Sequence, residues 1–466
     1  MKDNSQGAVK RYIVLIVSTV TAFIMPFLSA AVNVALATIG REFAMEAVVM
    51  TWVSTIFFLS IAMVQVPCGR LADIYGRKKL FVIGLLVTIF AAFFGAFTGS
   101  VIMLLISMAL LGMGAGITFN NSISILTSVF PDDMRGRVLG ISTAGTYIGL
   151  SMGPFIGGVL TGAFGWQSIF ILAGILNLIL LALVFYALKG EWREAEGEKF
   201  DIIGSLTYAI SIALFIYGFS SLPDVLGIVL FLLGVAGMMF FARWEARVGS
   251  PIFDLNLFRE NKVFFFSNLA MFISYIATFA VSFLLNLYLQ YIKGLAPQTA
   301  GLVLIVASVL MAIMTPISGR VSDKIEPRLV ASLGIAFSCV ALLLLTFLDG
   351  STMLWFIIVA LAINGLGIGI FSSPNTNAIM GSVERKSLGV AAGMLGTMRT
   401  AGMMVSMGIM MIIFSLFIGQ AEITPERYPQ FLTSVRTGFI IFTVLSILGL
   451  TFQMVARSAD RKFKSG

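Results

Sequence analysis

The charged residues of this chain are placed so unevenly that position alone limits the chemistry they can do. All 22 carboxylates, from Asp3 to Asp460, fall in polar breaks between apolar runs or at the margins of those runs. There is no histidine. Acid–base catalysis and proton relays need titratable groups held together away from bulk water, and no pair of carboxylates is spaced for that. The two cysteines, Cys68 and Cys339, lie in separate apolar runs and read as small core residues, not as a disulfide or a metal pair. No His/Cys/Asp cluster has ligand spacing, and no Gly-x4-Gly-Lys-Ser/Thr loop offers a phosphate cradle. The sequence therefore reads as no enzyme, with no catalytic residues, no metal and no cofactor. One charge is left deep inside an apolar run: Arg399. An ion at such a depth is costly unless it is paired or functional. Gly396, Arg399, Met403 and Ser406 share one helical face. Either Arg399 lines a cavity and favours neutral or anionic amphiphiles, or it bonds the carbonyls of a neighbouring helix and only locks packing.

Uncharged polar residues within the apolar runs are the other candidates for contact with a ligand. They are Ser29 and Asn33, Asn120 and Asn121, Tyr147, Asn286 and Gln290, and Asn375 and Asn377. Each serves equally as an interhelical hydrogen-bonding group. The 25 methionines and 41 phenylalanines are packing or lipid-facing residues, and a few on a cavity wall would give the adaptable surface of a promiscuous binder.

The elements that must position these residues are transmembrane helices. The chain of 466 residues is 59% hydrophobic and only 11% charged, too apolar for a soluble core. Fourteen apolar runs, most near the ~20 residues that span a bilayer, are separated by short polar breaks, and none alternates as a barrel strand would. With the N-terminus inside, only four of the 30 lysines and arginines fall outside: Arg41, Lys293, Arg427 and Arg436. Arg399 lies in a run, and the rest are on the inner side. This is the positive-inside pattern, with both termini cytoplasmic. It makes the net charge of +8 an orientation signal toward anionic lipid and no sign of a nucleic-acid partner. The first apolar run is too long for a cleavable signal.

The chain also repeats itself. Gly69-Arg70-Leu71-Ala72-Asp73 after the second run returns as Gly319-Arg320-Val321-Ser322-Asp323 after the tenth. Gly112, Gly114 and Gly116 return as Gly365, Gly367 and Gly369. The reading is an N-terminal six-helix bundle (residues 1–189), an inserted helix pair with cytoplasmic linkers (190–262) and a C-terminal six-helix bundle (263–466). Parallel repeats of this kind place a substrate site between the halves near midplane.

On these residues the chain resembles the major facilitator superfamily, in its fourteen-helix drug:proton antiporter branch. The strongest element is Gly69-Arg70-Leu71-Ala72-Asp73-Ile74-Tyr75-Gly76-Arg77-Lys78-Lys79, similar to the superfamily's loop between helices two and three. Its glycines are expected to permit a tight turn. Asp73 is expected to accept from a helix N-terminus. Gly69, Arg70, Asp73, Gly76, Arg77 and Lys78, with Gly319, Arg320 and Asp323, form the gating motif. A second element, Gly145, Gly149, Gly153-Pro154 and Gly157-Gly158, resembles the branch's antiporter signature, and ordinary small-residue packing accounts for the same spacing. Weaker likenesses are Trp52-Val53-Ser54-Thr55, Asp201-Ile202-Ile203-Gly204, and Gln290, Gly294 and Ala300-Gly301.

Two departures stand beside these matches. Leu28 occupies the place of an aspartate common in the first helix of the branch. Met108 and Leu111 occupy the places of an arginine and a glutamine in the fourth, the arginine being tied in the family to proton coupling. The resemblance implies a secondary transporter of the cell membrane that exports lipophilic neutral or anionic molecules by alternating access. It is expected to work as a monomer surrounded by membrane lipids, with proton coupling weakly supported. The alternatives are a proton-independent facilitator or carrier of lipid or organic anions, and a non-transporting receptor or scaffold.

Overall fold

The computed structural model describes the chain except residues 1, 131, 189, 194–196, 222–223, 249–260, 323, 384–387, 420 and 466. Side chains are also left undescribed at 2–10, 127, 132–137, 139–140, 143, 187, 220, 388–390, 392–393 and 456–465. The described residues form fourteen helices long and apolar enough to cross a membrane, and no strand. Six precede the linker: α1 (Lys2–Glu42), α2 (Ala47–Tyr75), α3 (Arg77–Ala96), α4 (Val101–Val129), α5 (Asp132–Phe164) and α6 (Gln167–Ala187). α7 (Ile202–Ser220) and α8 (Val225–Glu245) form a hairpin. The rest are α9 (Lys262–Leu287), α10 (Pro297–Ser322), α11 (Pro327–Leu345), α12 (Leu354–Met380), α13 (Leu388–Phe417) and α14 (Tyr428–Ser465). A π-helical turn, Tyr288–Ile292, extends α9.

Local chemistry sets several of the starts. Ser100, Asp201 and Asn261 each cap a helix, accepting from the backbone N–H of Met103, Gly204 and Phe264 respectively. Pro327 opens α11, where its missing N–H costs nothing. The segment expected as a loop after the second helix differs. α2 continues through Gly69 and Asp73 to Tyr75, and the break is the single residue Gly76, whose φ of +118° only glycine adopts freely. A Cβ on Gly69 would meet nothing nearer than Asn120 Nδ2 at 3.9 Å, so that glycine makes no turn.

The sequence repeat is a packing repeat. A Cβ on Gly112 would lie 2.2 Å from the Phe57 carbonyl oxygen, and one on Gly365 would lie 2.3 Å from that of Ala307. Gly114 abuts Thr88 Oγ1 at 2.2 Å as Gly367 abuts Ser338 Oγ at 2.4 Å. Gly116 faces the Ile61 carbonyl and Gly369 that of Met311, both at 3.1 Å. The contacted residues repeat with the chain, so each half brings its second and third helices onto its fourth through the same missing side chains.

Three buried apolar clusters set the state of the molecule. The largest joins the outer ends of α1, α2, α9, α10, α12, α13 and α14, and so spans both halves. A second belongs to the cytoplasmic ends of α1 and α3–α6, with Val17, Phe81, Leu126 and Val184. A third belongs to the cytoplasmic ends of the C-terminal half, with Phe264, Ile335, Phe371 and Met394. The halves thus share one apolar core on the outside and keep separate apolar cores toward the cytoplasm, so the tighter apolar closure is on the outer side.

Candidate translocation pathway

The outer closure is built from side-chain amides on helix backbone. Asn286 Nδ2 donates to the Asn33 carbonyl at 2.5 Å. One turn on, Gln290 Nε2 donates to the Val34 carbonyl at 2.9 Å and to Asn286 Oδ1 at 2.8 Å. Arg41 donates to the Gln290 carbonyl at 3.1 Å and lies 4.9 Å above the Tyr291 ring. Asn286 and Gln290 are fully buried, so these two sequence candidates are an α9–α1 clasp and do not line an open cavity. The π-turn that carries Gln290 is a strained form of helix often found where function requires it.

The antiporter-like glycines work on two faces of α5. Gly145, Gly149, Gly153 and Gly157 lie against α1: a Cβ on each would come within 2.6 Å of Thr19, Phe23, Ala30 or Ala31 atoms. The other face crosses to the second half. A Cβ on Gly301 of α10 would sit 2.1 Å from the Pro154 carbonyl oxygen, and one on Gly158 would sit 2.6 Å from that of Pro297. A helix seam this close tolerates no side chain and welds α5 to α10 near the outer side.

Toward the cytoplasm the halves meet through polar groups. Tyr147 of α5 and Ser372 of α12 share a hydrogen bond of 2.9 Å. Tyr275 of α9 lies near Ser372 and the Arg399 guanidinium. α5, α9, α12 and α13 thus bring polar groups to one region of the interior. Across from it, Gln65 Nε2 donates to Asn120 Oδ1 at 3.1 Å while Asn120 Nδ2 donates to the Gln65 carbonyl at 2.6 Å. Gln65 Nε2 stands 3.5 Å from where a Cβ of Gly396 would be, so the glycine on Arg399's face lets α13 approach α2. Arg399 is half-buried. It makes no ion pair among the described residues, where the salt bridges are Arg70–Glu198 and Asp73–Arg77.

The remaining sequence candidates are scattered. Ser29 and Asn33 are half-buried on α1. Asn121 is buried and bonds back to the Ile117 carbonyl of its own helix. Asn375 is buried against Ser267, and Asn377 is exposed and donates to Ser322 Oγ at 2.7 Å. Gln65, Tyr275 and Ser372 were not among the sequence candidates. Gln65 alone carried a signal, as a glutamine inside an apolar run; a tyrosine and a serine on such helices read as packing. Leu28, Met108 and Leu111 are 2% or less exposed within the outer core. Their sites lie in apolar core.

The gate-like motif is a corner of packed ions. Arg77 is buried and donates to Asp73 Oδ1 (2.9 Å) and to Ser128 Oγ (2.5 Å). The α3 N-terminus takes its partners from the linker instead: the Lys78 N–H donates to Glu191 and the Arg77 N–H to the Trp192 carbonyl. Asp73 therefore holds a guanidinium where the sequence led us to expect it at the helix amides. Lys78 Nζ reaches the Leu188 carbonyl, and Arg70 pairs with Glu198. In the second half Gly319 faces Ser373, Arg320 closes α10, and Asp323 lies outside the described residues.

Two close outer seams, separate inner cores and a residue-for-residue repeat make this chain two like halves packed around one interface. A family model of the Major Facilitator Superfamily matches residues 19–201 and 268–466. The chain belongs to the major facilitator superfamily. This major facilitator protein is a membrane transporter and not an enzyme. It is 29% identical over 422 residues to the riboflavin transporter RibZ of Clostridioides difficile, covering 90% of this chain and 91% of that one. It is 28% identical over 410 residues to the multidrug resistance protein Stp of Mycobacterium tuberculosis, covering 85% and 74%. The methylenomycin A resistance protein of Streptomyces coelicolor is 27% identical over 407 residues, with 86% and 85% covered. The unmatched stretch of this transporter between residues 201 and 268 contains the α7–α8 hairpin.

Proposed function

We propose that this transporter exports lipophilic neutral or anionic small molecules across the cell membrane by alternating access, with Arg399 as the charge that selects them. The observation that carries the reading is Arg399 itself: a half-buried cation with no carboxylate partner among the described residues, on a helix that packs against α2 of the other half. An ion so placed favours a ligand that brings the missing negative or hydrogen-bond-accepting group. The moving units are residues 1–189 and 263–466, with 190–262 inserted. The relatives named for drug resistance agree with export, and the one named for riboflavin transport agrees with a small organic cargo. The protein acts as a monomer in contact with lipid.

The test is thermostabilisation by a panel of anionic, neutral and cationic amphiphiles, repeated with Arg399→Ala and Arg399→Lys. A charge-assisted bond is worth about 1.5–3 kcal/mol, so Arg399→Ala should weaken anionic ligands by roughly 10- to 150-fold and leave cationic ones unweakened. Equal affinities for anions in all three proteins would remove the reading. A second reading, transport without protons, is favoured by the burial of Leu28, Met108 and Leu111 in apolar core. Flux that is the same with and without a pH gradient would establish it.

A further inference from the structure

The α7–α8 hairpin is a rigid body. A Cβ on Gly218 would lie 2.2 Å from Phe231 N, and one on Gly234 would lie 2.4 Å from Phe215 N. The rings of Phe215, Phe219 and Phe231 close over that seam at 5.0–6.3 Å. Its cytoplasmic end is tied to the N-terminal half. The linker leading into α7 sets Glu191 against Gly76, accepts the Arg77 N–H on Trp192, and pairs Glu198 with Arg70. Asp201, which caps α7, also accepts from Trp244 Nε1 at 2.9 Å and so fixes α8 to the same base.

The outer end behaves differently. Tyr217 packs its ring 5.7 Å from Trp52 of α2, in the N-terminal half. Two residues on, the Phe219 ring fits the gap left by Gly408 of α13, in the C-terminal half, where a Cβ would come within 2.8 Å of it. Ile212 and Ile216 of α7 belong to the apolar cluster that holds the halves together on the outside. α7 therefore lies along the outer part of the α2–α13 seam, opposite the α5–α10 weld.

From this geometry we infer that the inserted hairpin is a strut: anchored to the N-terminal half through its linker, it leans on Gly408 of α13 through Phe219 and seals the outer seam while the transporter faces the cytoplasm. Opening to the outside requires α13 to leave α7 at the Phe219–Gly408 contact, while the Trp52–Tyr217 contact travels with the N-terminal half. A glycine is needed at 408 because a larger residue would hold the seam ajar.

The experiment uses the full chain with Cys68→Ala and Cys339→Ala and a reporter cysteine at Ser29→Cys, labelled in intact cells with a membrane-impermeant maleimide. Phe219→Ala and Gly408→Leu are added singly, with the milder Phe219→Leu as insurance against misfolding. Leu232→Ala on the exposed face of α8 serves as the control. Each seam variant that elutes as a monodisperse protein should label about three- to tenfold faster than its parent, and Leu232→Ala should label at the parental rate. Unchanged labelling in the folded seam variants overturns the inference, and so does an equal rise in Leu232→Ala.

Discussion

Removing the α9–α1 clasp should push this transporter toward the outward-facing state by a predictable amount. The perturbation is Asn286→Ala with Gln290→Ala. Two hydrogen bonds cross between the halves through these side chains, to the carbonyls of Asn33 and Val34; the third, from Gln290 to Asn286, stays within α9. A neutral hydrogen bond contributes about 0.5–1.5 kcal/mol net. The inward state therefore loses about 1–3 kcal/mol, a shift of roughly 5- to 150-fold in the equilibrium between states. The lower end of that range is expected. Gln290 Oε1 has no partner and is buried, so deleting the side chain also removes an unsatisfied acceptor whose burial opposes the closed state. The assay is a pair of spin labels at Gly99→Cys and Gly350→Cys, on outer turns of opposite halves, in the background lacking Cys68 and Cys339. A Cβ at either glycine meets nothing within 4 Å, so the labels disturb no packing. The double variant should show a longer-distance population that is minor in the parent. An unaltered distance distribution in a folded protein would refute the assignment of these amides as the outer lock.

Other expectations concern single sites. Gly301→Val should destabilise by about 1–3 kcal/mol, because its Cβ would strike the Pro154 carbonyl 2.1 Å away and neither backbone can yield; thermal unfolding against a Gly350→Ala control checks this. Asp73→Asn should cost about 1–3 kcal/mol, since it removes the carboxylate to which the buried Arg77 guanidinium donates, and a lowered melting temperature would show it. Hydrogen bonds from Ser351 and Thr352 hold the Asp349 carboxyl at about 2, below its ordinary value of 3.8. With its folded value depressed, its contribution to stability is present above pH ~4 and lost as pH falls through about 2. Asp349→Asn should flatten the acid limb of a melting-temperature profile, and an unchanged limb would contradict the assignment.

What the sequence determined is what depends on solvent and on chain-local rules. Fourteen spans, their orientation and the twofold repeat follow from the cost of leaving apolar residues in water and cations in lipid, and these are legible one segment at a time. The absence of deep carboxylates and the isolation of Arg399 in an apolar run are likewise properties of the string. Tertiary structure decided where each polar group goes. For Asn286 and Gln290 the sequence left ligand contact and interhelical bonding both open; they clasp the α1 backbone, because the docking of α9 on α1 brings those carbonyls within reach. Gln65, Tyr275 and Ser372 come near α13 or one another only through the packing of α2, α9 and α12. Asp73 holds Arg77 because a linker more than a hundred residues away already occupies the α3 amides. Such contacts join residues distant in the chain. They are fixed by packing geometry, which no local pattern of residue types encodes.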